Sequence, residues 1–164
     1  MGLANIGLPE YGKIVELWTP QHYSHISSDM VSLKNGQKAF FIIQFNGTPN
    51  AATITFTLLG GATVTTATNA CTFGNWWRCN GTAAAMLLSD TETKGAVGAA
   101  SYVTTASDQG WLCIEVDPAD WVTAGYDCFC VHMDAGEASQ FMSAIALIVP
   151  GRYQQAIPPS AIVN

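Results

Sequence analysis

Hydrophobic and polar residues alternate along most of this chain. Thr53, Thr55 and Thr57 interleave with Ile54, Phe56 and Leu58, the pattern of a strand with one wet and one dry face, because successive side chains point to opposite sides. The same pattern predicts strands over residues 13–18, 30–33, 38–45, 76–79, 84–88, 100–104, 111–117, 126–133 and 142–149. Turn chemistry separates them at Asn35-Gly36, Asn46-Gly47, Gly60-Gly61, Asn80-Gly81 and Ala124-Gly125, and Asn35-Gly36 between two apolar runs is the clearest hairpin signal. No window keeps an apolar period of 3.6, and Thr and Val abound where a helix favours Ala, Leu, Glu or Lys. Helix is expected only as short turns, best at Asp117-Pro118, where an N-cap Asp precedes Pro at the first helical position. The expected fold is all-β, an antiparallel β-sandwich, jelly-roll-like, with extended N- and C-terminal arms.

The sandwich domain is expected over residues 13–150. Residues 1–12 carry three glycines, a proline and scattered apolar residues, and residues 151–164 (GRYQQAIPPSAIVN) contain a diproline followed by Ala161, Ile162 and Val163. Diproline favours extended backbone, and apolar residues on an extended arm need a surface to lie against. A neighbouring subunit is the simplest such surface. The expected contact residues are Leu3, Ile6, Leu8 and Tyr11 in the N-terminal arm, and Tyr153, Ile157, Pro158, Pro159, Ile162 and Val163 in the C-terminal one.

Composition sharpens this picture. Hydrophobic residues make up 49% of the 164 residues and charged residues only 11%, well below the typical quarter. A lone monomer normally relies on charge for solubility, so partner subunits are expected to cover much of this surface. The net charge of −6, with six Lys and Arg in all, argues against a phosphate-binding groove and direct nucleic-acid contact. The longest apolar run, residues 141–150, is about half the roughly 20 residues a membrane helix needs. The N-terminal sequence lacks the basic and apolar regions of a secretory signal, so synthesis in a cytoplasm and no membrane attachment are expected. Five cysteines, an odd count, are expected to be reduced and mostly buried.

Several clusters invite a chemical reading. On a strand, Cys128, Cys130 and His132 share one face. However, CxC spacing splays two ligands about 7 Å apart, unlike the converging pairs of a tetrahedral zinc site. Buried thiols packing as small hydrophobes are the expectation, with no metal and no cofactor. Gly7 to Lys13 imitates a phosphate-binding loop, but Ile14 stands where Ser or Thr is required. His22 and His25 are expected in a solvated loop. Glu115 and Asp117 share a strand face, as paired carboxylates of a hydrolase would, yet no second group can be nominated and no GxSxG or HExxH motif is present. The expectation is a protein that is not an enzyme. Trp76, Trp77, Trp111 and Trp121 suit either a sugar-stacking platform or anchors of a core or interface.

Three segments carry a resemblance: Ser28 to Lys34 running into Phe40 to Gln44; Cys113 to Asp117 with Tyr126 to Cys128; and Gly151 to Val163. The chain resembles small virion structural proteins of tailed bacteriophages and prophages over most of its length, with residues 70–100 standing apart. The resemblance implies a β-rich accessory protein of the head, a decoration or cement protein on the outer capsid surface. Its partners would be the major capsid protein of a tailed phage and copies of itself, a homotrimer favoured. The alternative is a carbohydrate-binding head-fibre or tail component touching the host surface through Trp76 and Trp77. The resemblance offers no catalytic residue.

Overall fold

A computed structural model of the chain describes residues 12–23, 25–34, 36–46, 53–82, 92–104, 108–135 and 140–150. Its strands are β1 (Lys13–Tyr23), β2 (His25–Ser27), β3 (Val31–Ser32), β4 (Gly36–Asn46), β5 (Ile54–Gly61), β6 (Asn69–Cys71), β7 (Trp76–Thr82), β8 (Thr93–Lys94), β9 (Tyr102–Val103), β10 (Asp108–Val116), β11 (Cys128–Ala135) and β12 (Gln140–Pro150). They form two antiparallel sheets. The front sheet runs β1-β12-β4-β10-β7-β8; the back sheet runs β2-β11-β5-β6, with β3 beside β11 and β9 beside β5.

The order follows from rolling one long ribbon. β1 pairs with β12, β2 with β11, β4 with β10 and β5 with β6. Wrapping those pairs around a common core interleaves them as β1-β12-β4-β10 and β2-β11-β5-β6, the two four-stranded sheets of a jelly roll. β7 and β8 then extend the front sheet beyond β10.

Alternation decides what faces inward. Val15 and Leu17, Phe41, Ile43 and Phe45, Leu112 and Ile114, and Met142, Ala144 and Ala146 come from the front sheet. They meet Ile54, Phe56 and Leu58, and Phe129, Val131 and Met133, from the back sheet; all are buried. An aromatic group closes one end, with Phe56 stacked on Tyr102 at 6.4 Å, Trp76 5.4 Å from Tyr102 and Phe73 edge-on to Trp76 at 5.7 Å. Fully burying each such side chain contributes roughly 1.5–3 kcal/mol.

The one described helix is the 3-10 helix Pro118–Ala124, and it starts as expected. The Asp117 side chain accepts a hydrogen bond from Ala119 N at 2.9 Å, and Gly125 ends the turn at φ 72°. Tyr126 stacks on Trp121 just beyond it.

Several local expectations are corrected. Gly36 N does donate to Leu33 O at 2.9 Å, but β3 pairs with β11, not with β4. The Asn35-Gly36 turn therefore carries the chain between sheets and makes no hairpin. Gly60 and Gly61 are strand residues of β5, packed so closely that a Cβ at Gly60 would meet Cys71 Sγ at 2.7 Å and one at Gly61 would run into Thr66 O. Here the missing side chains admit a crossing segment. Asn80 and Gly81 lie inside β7, opposite Gly110 and Gln109. β1 continues through Pro20, which an irregular edge strand tolerates, so His22 sits on β1 and His25 opens β2 rather than a loop. β3 and β9 are two-residue remnants of the predicted strands over 30–33 and 100–104. The predicted strand over 84–88 lies outside the described residues.

Candidate functional site

The front sheet is apolar on both faces. On its outer face, cross-strand register builds one unbroken row over all six strands: Glu16 opposite Ile145, Ile145 opposite Ile42, Ile42 opposite Cys113, Cys113 opposite Trp77 and Trp77 opposite Lys94. A neighbouring row runs Ile14, Leu147, Phe40, Glu115, and another Ser143, Gln44, Trp111, Cys79. The middle strands put mostly part-buried side chains here, Gln44 being exposed, and towards the β1 edge Ile14 is 47% and Ile145 38% exposed. Phe141 is 43% exposed further along β12.

Charge is confined to the margins. At the bottom of the face the Lys38 ammonium pairs with the Glu115 carboxylate, whose other oxygen accepts from Asn75 Nδ2 at 3.4 Å. Asp117 Oδ2 is 3.9 Å from the same ammonium. The hydrogen bond to Glu115 holds the Lys38 ammonium above its ordinary pKa. At one side edge Lys94 lies over the Trp77 ring, 5.7 Å from its centre, a cation–π arrangement. At the other, Glu16 raises the pKa of Asp29, although burial is the larger cause of that shift.

These contacts give the nominated carboxylates other duties. Glu115 is neutralised by Lys38, and Asp117 caps the 3-10 turn. Trp76 does not form a platform with Trp77: it is buried, donates Nε1 to Ala96 O at 2.9 Å, and presses on Gly95 so closely that no Cβ fits there. Adjacent strand residues point to opposite faces, so Trp77's face-mate is Trp111, which lies diagonally from it across β7 and β10.

The back sheet's outer face is different. Cys128, Cys130 and His132 do share it, as the alternation predicts. Yet Cys130 is fully buried, because residues 62–68 fold back over the sheet and Cys130 Sγ comes within 3.7 Å of Ala67 O. Burial pushes the Cys130, Cys71 and Cys128 thiols up to about 11. Cys113, on the front face, is pushed to about 11 by burial, with Glu92 and Glu115 adding to it. All five cysteines are free thiols.

Towards the sheet edge, His132 Nδ1 lies 3.0 Å from Ser27 Oγ and His25 Nδ1 lies 3.1 Å from Asp134 Oδ1. The two imidazoles meet edge to face at 4.8 Å. Burial and then the neighbouring His25 lower the His132 pKa, against the opposing pull of Asp134. No group of three His, Cys, Asp or Glu among the described residues is arranged to hold a metal ion. No helix among them is long and apolar enough to cross a membrane.

The contact residues expected in the arms, Leu3, Ile6, Leu8, Tyr11, Tyr153, Ile157, Pro158, Pro159, Ile162 and Val163, lie outside the described residues. Of the outer-face residues, Trp77 and Trp111 are among the tryptophans nominated from the sequence, whereas Ile14, Phe40, Ile42, Ile145 and Leu147 were not expected as a site. Their signal is the interruption of alternation: residues 40–43 read FFII and residues 144–149 read AIALIV, continuous apolar runs of the kind strands show when both faces are covered.

The chain matches no family model, and comparison with curated proteins finds no match.

Proposed function

We propose that this chain is a structural protein of a tailed-phage virion, a decoration or cement subunit on the outer capsid surface that stabilises joints between capsomers. A jelly roll hosts many unrelated activities, so the fold alone assigns none of them. The observation that carries the reading is the apolar outer face of the front sheet. Contiguous exposed apolar area of this kind marks an interaction surface, and here it spans a whole sheet with ionic groups only at its rim.

Two further points support it. The described groups with catalytic potential are engaged in local structure: Glu115 with Lys38, Asp117 at the helix cap, and His132 with Ser27. The low charge density also suits a component that spends its working life covered. Cement proteins act through many modest interfaces multiplied by symmetry, so binding to the major capsid protein draws on avidity as well as on any single contact.

The test is co-sedimentation of the purified full-length chain with heads that lack decoration. Saturable binding, with heads that then survive heating or chelation better, is the expected result; heads that pellet without it sink the proposal. A glycan-binding role is the second reading, now resting on Trp77 and Trp111 rather than Trp76. Replacing both with alanine would abolish retention on bacterial surface polysaccharide if that role were the true one, and the cement reading expects no such retention from the start.

A further inference from the structure

We propose that the front sheet's outer face is the seat of a two-fold dimer, in which a second copy of this chain packs face to face with the first about an axis parallel to the strands. The argument is the charge order along the central row. Glu16 stands at its β1 end and Lys94 at its β8 end, with Ile145, Ile42, Cys113 and Trp77 between them. A two-fold axis along the strands, passing between β4 and β10, reverses the lateral order of the row. It sets Glu16 of one copy over Lys94 of the other, twice, with Ile145 over Trp77 and Ile42 over Cys113.

An in-plane axis across the strands would instead stack Glu16 on Glu16 and Lys94 on Lys94. Like charges in register oppose that arrangement. The remaining ionic groups do not disturb the pairing: Glu115 is neutralised by Lys38 within its own chain. Glu92 belongs to the next row, since Thr93 is opposite Arg78 and Lys94 opposite Trp77.

Size and edge chemistry point the same way. With strands about 4.8 Å apart and residues about 3.4 Å apart, the face measures roughly 24 Å by 27 Å. Its flat footprint of roughly 650 Å² approaches the roughly 800 Å² each partner buries in a standard interface. The register along β1 shifts twice, between Glu16 and Trp18 and between Trp18 and Gln21, and Pro20 lies in the same stretch. Such an edge resists strand addition, leaving the face as the surface on which two copies can meet. The sequence had favoured a trimer; the row favours a pair.

The dimer would occupy the face on which the virion reading rests, leaving contact with the shell to other parts of the molecule, but its test does not depend on that role. Sedimentation velocity of the full chain, without any shell, should give twice 17.4 kDa. Ile145→Glu should weaken dimerisation about 100-fold or more, because it places two new carboxylates, one from each copy, in an apolar contact, while circular dichroism stays native. Glu16→Lys and Lys94→Glu should each weaken it about fivefold, as expected of two rim ion pairs, and the double reversal should restore it to within about twofold. Within one chain these residues are roughly 24 Å apart, so rescue can come only from contact between copies.

A monomer, a trimer, or a dimer indifferent to these changes would overturn the proposal. A monomer that binds heads and loses them on Ile145→Glu would give the face to the shell, ending the dimer but keeping the virion role. A monomer that binds an apolar dye only after removal of residues 151–164 would give the face to the chain's own C-terminal segment, with the same consequence for the dimer. A dimer that ignores heads keeps this inference and ends the other.

Discussion

The back sheet finishes its outer surface with its own chain, whereas the front sheet keeps large apolar side chains exposed on its outer surface. Over the back sheet, residues 62–68 cover Cys130, and further out Ser27, His132, His25 and Asp134 satisfy one another. Over the front sheet, Ile14 and Ile145 remain substantially exposed beside the part-buried Phe40, Ile42, Leu147 and Trp111. Both sheets contribute to one core through the same alternation, so stability of the single chain does not explain the difference. Apolar surface that does nothing for the monomer has a use only in association.

The comparison breaks most visibly through two phenylalanines. Phe129 lies on the inner face of the back sheet at 0% exposure, and Phe129→Ala should destabilise the chain by about 3–5 kcal/mol. Phe40 lies on the outer front face, and Phe40→Ala should cost the monomer about 1 kcal/mol or less, since only part of its surface is removed from water. Urea denaturation at low protein concentration measures both; equal losses would mean that the front face is as much a core as the interior.

Thiol reactivity sharpens the contrast between buried and accessible positions: Cys71 faces the core opposite Leu58, and Cys113 on the front face is held as high as the back-sheet thiols. With pKa values near 11 instead of the ordinary 9.0, Cys71, Cys128 and Cys130 should carry about 100-fold less thiolate at pH 8. Their reaction with a disulfide reagent should wait for unfolding, while the half-exposed Cys79 should be modified in the native protein. Mass spectrometry of partially labelled chain identifies the site, and early modification of Cys130 would show that residues 62–68 do not seal the back sheet.

Smaller effects follow from single contacts. Asp117→Ala removes the cap of the 3-10 turn next to the Lys38 and Glu115 pair, and should cost about 1 kcal/mol in thermal or urea unfolding. His132 gives the mildest effect. Its pKa is lower in the folded state than the ordinary 6.5, so the unfolded chain binds the proton more readily. Stability should therefore decline as pH falls through about 6.5 and level off below the folded pKa. His132→Gln should flatten that slope, measured as melting temperature against pH; a slope that persists would assign it to another group.

The strand content and the sandwich were legible because alternation is local: each of β4, β5, β10, β11 and β12 carries its own apolar face. The cap at Asp117 was legible for the same reason, since a helix start is marked by neighbours in sequence. The shared face of Cys128, Cys130 and His132 was legible too, but not what lies on it. Whether a thiol there is wet or buried depends on residues 62–68, which sit some sixty positions away.

The same limit governs the candidate site. Glu115 and Asp117 looked like paired carboxylates because their partner, Lys38, lies on another strand. Trp76 and Trp77 looked like one platform because adjacency in sequence is opposition on a strand. The interrupted alternation at residues 40–43 and 144–149 is the local trace of strands that are apolar on both sides.

Local pattern thus settled the long strands, which side of each is dry, and where helix could start, because these rest on side-chain period and turn chemistry within a few residues; the short β2, β6 and β8 hold too few residues to show a period. Only the rolled ribbon decided which strands lie side by side. Register across β1, β12, β4, β10, β7 and β8 then assembled Glu16, Ile145, Ile42, Cys113, Trp77 and Lys94 into a single row. Residues spread over nearly 130 positions of the chain become neighbours at strand spacing, and no local period carries that information.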